Sequence, residues 1–60
     1  MTREEIRLYK ETRIKELQAE IKRYEEFLPK ASRLEAKSIA ACIKNAQSII
    51  AELTIDLANM

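Results

Sequence analysis

Apolar residues recur three and four apart through the second half of the chain, at Ala36, Ile39, Ile43, Ala46, Ile50, Leu53, Leu57 and Met60. That alternation is the heptad rhythm of a helix with one face laid against another helix. Cys42 and Ile49 widen one flank of the stripe, which suits a bundle better than a narrow two-stranded seam. Ala40, Ala41, Ala51 and Ala58 leave room for a second helix to come close. The first half keeps the rhythm only from its middle onward, at Ile14, Leu17, Ile21, Tyr24 and Leu28. Toward the N-terminus the register runs onto Lys10, Arg7 and Arg3, so apolar contact there is expected to shift to Ile6 and Tyr9.

Polar residues mark where the helices begin. Thr2-Arg3-Glu4-Glu5 and Ser32-Arg33-Leu34-Glu35 both read as capping boxes, in which a hydroxyl accepts from a first-turn amide and the glutamate reaches back. Between them, Phe27-Leu28-Pro29-Lys30-Ala31 is the stretch where the pattern falters. A residue before proline is disfavoured in the α region, so Leu28 is expected to leave it and end the first helix. The pattern predicts an all-α chain with helix 1 over about 3–27, a turn at 28–32 and helix 2 over about 33–58. Together they make one helical-hairpin domain across 1–60, antiparallel because the connection is short. A single rod kinked at Pro29 competes with the hairpin, and the second capping box argues against it. Folding about Pro29 sets Tyr24 near Ala36, Ile21 near Ile39, Leu17 near Ile43 and Lys10 near Ile50. The turn-proximal half is then the better core, and the open end is thin.

A chain of 60 residues is marginal alone, and each helix of a hairpin has one neighbour to cover its stripe. Dimerisation into a four-helix bundle is the expected remedy. Eleven basic and ten acidic residues leave a net charge of +1, so no whole-chain field draws the protein to nucleic acid or membrane. One cysteine and no histidine exclude an intramolecular disulfide and the usual structural zinc site, and no metal or cofactor is expected. A glycine-rich phosphate loop is missing, as is a nucleophile with a base one turn away, so the chain is not expected to be an enzyme. The glutamates sit at ordinary helix-surface spacings, such as Glu11–Lys15 and Glu16–Glu20–Arg23. Thr2 to Lys15 is too charged for a secretory segment, and Ser38 to Leu57 is interrupted by Lys44, Asn45, Gln47, Glu52 and Asp56. A cytoplasmic protein with neither a membrane partner nor a small-molecule substrate is expected.

Three groups of residues are candidates for contact with a partner. Leu8 and Ile55 lie off the core faces at the open end of the hairpin, where they suggest a second apolar surface alongside Leu57, Ala58 and Met60. Cys42 and Ile49 flank the stripe of helix 2. The Cys42 thiol is available for a disulfide across a dimer axis, although a small buried hydrophobe is the plainer reading. Arg3, Arg7, Lys10 and Arg13 form a candidate basic patch near the open end. The plainer reading is that their stems cover the thin core while the charged heads reach water, or reach Glu52 and Asp56. Lys22, Arg23, Lys30, Arg33 and Lys37 surround the turn, diluted by Glu25, Glu26 and Glu35.

The leading functional reading is a small non-enzymatic interaction module, acting as adaptor, inhibitor or regulator through helix packing as a homodimer or with another protein. Compact chains of this kind suit regulators of the sort that bacteria and phages encode. In architecture the chain also resembles the plasmid-copy-control RNA modulators, short helical hairpins that dimerise into bundles and bind paired RNA loops. That resemblance implies a nucleic-acid-binding dimer using the Arg/Lys patches, and it is of fold only, with no site residue carried over. A structural oligomerisation or assembly subunit is the third reading.

Overall fold

A computed structural model describes residues 2–60. Two helices, α1 (Arg3–Phe27) and α2 (Arg33–Ala58), are joined by a short 3₁₀ turn at Leu28–Lys30. They pack against each other as a hairpin, and the molecule measures 45 × 15 × 15 Å. The helices run antiparallel, since Lys10 near the start of α1 reaches Asp56 near the end of α2 at 3.5 Å. Among the described residues there is no strand, and no helix is long and apolar enough to cross a membrane.

Both helices begin at the hydroxyl residues singled out above. Thr2 is extended and its Oγ1 accepts from the Glu5 N–H at 3.2 Å. Ser32 is likewise extended, and its Oγ accepts from the Glu35 N–H at 3.3 Å. Glu35 does turn back, but to the hydroxyl: Ser32 Oγ donates to Glu35 Oε1 at 3.0 Å. Glu4, Glu5 and Glu35 in the first turns favour the positive ends of the helix dipoles. Ser32→Ala is expected to lower stability by about 1 kcal/mol. A thermal melt followed by circular dichroism checks this, and an unchanged midpoint would show that the second helix start is held by packing alone.

The exit from α1 differs from expectation. Leu28 stays in the α region at φ −48°, ψ −46°, and its N–H still donates to the Tyr24 carbonyl. Proline disfavours that conformation in the residue before it but does not forbid it. What Pro29 removes is its own N–H, so the α ladder cannot continue through it. The chain tightens into the 3₁₀ turn, closed by the Ala31 N–H on the Leu28 carbonyl at 3.1 Å. Ala31, at φ −82° and ψ 149°, is where the backbone turns extended. No described residue has a positive φ, which is how a chain without glycine makes this turn.

Every residue of the helix 2 stripe from Ala36 to Met60 is buried or half-buried, as are Ile14, Leu17, Ile21, Tyr24 and Leu28 of α1. Among the described residues only Leu17 and Ala46, at 2% and 5% exposure, are buried outright. The densest layer therefore lies near mid-length, at the far edge of the turn-proximal half, whose other stripe residues are half-buried. A bulky leucine faces a small alanine there and the helices close on it. Toward the turn, Phe27 and Leu34 remain exposed. Toward the open end Ile6 is half-buried, but Tyr9 is 63% exposed and does not take up the contact expected of it. Eight residues before Leu17, at about 100° per residue, its ring projects to the flank and not toward α2.

Candidate functional site

Leu17 and Ala46 mark the directions in which the two helices face each other, and the turn of about 100° per residue assigns the remaining positions to flanks. Arg13, Glu20 and Phe27 share one flank of α1. Ser38, Cys42, Asn45 and Ile49 share one flank of α2. These flanks lie on the same side of the hairpin. A cleft of about 180 Å³ brings Arg13 and Glu20 together with Cys42, Asn45 and Ile49 across Leu17 and Ala46. A larger one of about 490 Å³, at the turn end, brings Tyr24 and Phe27 together with Leu34, Ser38 and Ile39, with Arg23 and Glu35 at its edge. This side is the cleft face.

Cys42 is exposed there, which corrects the reading of it as a buried hydrophobe. A single hairpin covers the centre of the α2 stripe and leaves the flank open, while Ile49 beside it is half-buried. The turn-end cleft was not anticipated from the sequence. Phe27 and Leu34 border the break, where the heptad pattern gives no direction, and only the conformation of the turn shows that they stand near each other.

The opposite side is built differently. Arg7, Ile14, Gln18, Ile21 and Glu25 of α1 and Ala36, Ala40, Ile43, Gln47, Ile50 and Thr54 of α2 fall on it by the same count. Ile14, Ile21, Ala36, Ile43 and Ile50 are half-buried at its inner edge, and Gln18, Ala40, Gln47 and Thr54 are exposed. From Ala36 to Thr54 this flank of α2 carries no charged residue. The Thr54 hydroxyl donates to the Ile50 carbonyl at 2.7 Å, so it can be covered without losing its partner. This side is the isoleucine face.

Toward the open end Arg7, Lys10 and Arg13 are engaged within the chain. Arg7 pairs with Glu11 at 3.4 Å and Arg13 with Glu16 at 3.2 Å, so Glu11 looks back toward the N-terminus instead of forward to Lys15, and Glu16 likewise looks back. Lys10 is mostly covered along its stem, with its ammonium on Asp56, which is the snorkelling geometry. It also brings a cation to the last turn of α2, which has no basic residue of its own. Arg3 and Arg7 line a cleft of about 270 Å³ with Glu4, Leu57 and Met60.

Leu8 and Ile55 are exposed, at 64% and 60%. They do not form one surface. Leu8 lies nine residues from Leu17 and Ile55 nine from Ala46, about half a turn in each case. Each therefore points away from the helix–helix contact, on opposite outer edges of the hairpin.

No protein-family model, curated protein or solved structure matches the chain. Its candidate surfaces are thus defined by geometry: an isoleucine face whose α2 flank is uncharged, a cleft face with an apolar recess at the turn, and an open end whose charges are largely paired.

Proposed function

We propose that this chain is a non-enzymatic protein–protein interaction module, a small cytoplasmic adaptor or regulator that works by helix packing. In this reading two hairpins associate into a four-helix bundle, and the surface left over engages another protein.

The observation that carries the reading is the exposed area. The hairpin presents 5018 Å² to solvent, whereas a compact folded monomer of 7.0 kDa is expected to present about 4,000 Å². The surplus of roughly 1,000 Å² is similar to the ~800 Å² that each partner contributes to a stable protein–protein interface. It coincides with half-buried isoleucines and five large apolar side chains left exposed. Nucleic-acid binding is less well supported. Three of the four bases in the candidate patch have a carboxylate of the same chain within 3.5 Å, which lowers the counterion release that drives binding to phosphates.

Molar mass by light scattering over a dilution series is expected to give twice the 7.0 kDa chain, with little dependence on salt. A monomer at every concentration would remove the bundle. A species larger than a dimer would favour an assembly subunit instead.

A further inference from the structure

We infer that the isoleucine face is covered by the same face of a second copy, with α2 packed antiparallel on α2 about a two-fold axis at the level of residue 45. The inference rests on the interaction-module reading and adds its surface, register and partner.

The choice between the two sides follows from their charge. The cleft face carries Arg13, Glu20, Arg23 and Glu35 around its apolar recesses, and covering it would desolvate both signs. The flank of α2 from Ala36 through Ala40, Ile43, Gln47 and Ile50 to Thr54 has nothing ionisable to desolvate. Its one hydroxyl already has an intrahelical acceptor. On the neighbouring flank of α1, Ile14, Gln18 and Ile21 are uncharged, while Arg7 and Glu25 share that flank toward its two ends and Glu11 lies at its outer edge, so the inferred contact is made by α2.

The register follows from side-chain size. In an antiparallel pair centred on residue 45, Ala36 faces Thr54, Ala40 faces Ile50 and Ile43 faces Gln47 of the other copy, each contact occurring twice. Both alanines meet a larger side chain, as interdigitating layers require. Sliding the pair by one heptad in either direction leaves fewer of these positions opposed. The two Gln47 side chains approach the axis from either side, where an amide carries both a donor and an acceptor for its symmetry mate. An interface of standard size would remove most of the surplus exposed area of the whole molecule, and the choice of face rests on the uncharged flank of α2.

Crosslinking by position tests the arrangement. Two single-thiol proteins, Ala40→Cys and Ile50→Cys, are each made with Cys42→Ser, mixed, and oxidised. At about 1.5 Å per residue, positions 40 and 50 of different copies lie at one level, whereas two copies of position 40 are about 15 Å apart along the axis. The mixed 40–50 disulfide should therefore exceed either homodisulfide several-fold. Predominant homodisulfides would mean a parallel pair, and none of the three would mean a different face; either overturns the inference. The unaltered protein gives a second readout. Cys42 lies on the cleft face and should react with a thiol reagent as fast at concentrations where the chain is dimeric as where it is monomeric. Protection of Cys42 on association would move the interface to the cleft face while leaving the interaction-module reading intact. A chain that stays monomeric throughout removes both.

Discussion

Replacing Leu17 by alanine is expected to remove about half of the protein's stability. Among the described residues Leu17 is the one large side chain that is fully buried, and it lines one cleft with Ala46 at the middle of the hairpin. Truncating a buried leucine costs about 2–5 kcal/mol through lost transfer energy and the cavity left behind. A domain of this length has only about 3–9 kcal/mol of stability at the usual value per residue. Within one hairpin each helix has only the other to close the gap. Far-UV circular dichroism is expected to show a midpoint lower by at least about 10 °C, or no cooperative transition at all. A fall of less than about 4 °C would mean that the hairpin is not organised around this layer.

Ala40→Glu is expected to have the second largest effect, and on association instead of folding. Ala40 is exposed in the hairpin, and glutamate is nearly as good a helix former, so the isolated chain should hardly notice the change. In the two-fold interface inferred above the carboxylate would be covered twice, once in each copy. A buried group without a partner costs about 1–3 kcal/mol or more when charged, so the dimer should weaken at least about thirty-fold. Sedimentation or light scattering would show the mass falling toward 7.0 kDa at concentrations where the unaltered protein is dimeric. An unchanged dimer constant would place Ala40 outside the interface.

The features that were legible in the sequence are those set by local chemistry. Thr2 and Ser32 mark the helix starts because an exposed amide in the first turn needs an acceptor wherever the helix later packs. The stripe from Ala36 to Met60 shows its inward direction because a repeat of three and four can satisfy only one face. What was not legible depends on the pairing of the two helices. Cys42 belongs to the stripe by periodicity, but a lone hairpin covers a narrower band than a bundle does, and the thiol falls outside it. Leu8 and Ile55 share an end of the molecule, and only their rotation about each axis separates them. The Lys10–Asp56 pair was among those expected, but the pairs within α1 escaped for another reason. Spacing alone allows Glu11 to reach Lys15 or Arg7, and the rotamers in the folded chain choose Arg7.

The turn carries a consequence for how the chain can exchange partners. From Arg3 to Lys30 the backbone is helical throughout, and helical again from Arg33, so the reversal is confined to Ala31 and Ser32 at ψ 149° and 168°. Neither angle calls for a left-handed residue, and returning both to helical values would straighten the molecule into a rod bent only at Pro29. Two such rods laid side by side remake the α1–α2 contacts between chains, Leu17 on Ala46 included. The hairpin and its domain-swapped counterpart therefore differ by a two-residue hinge, and the concentration at which the protein is refolded becomes a lever on which of them forms.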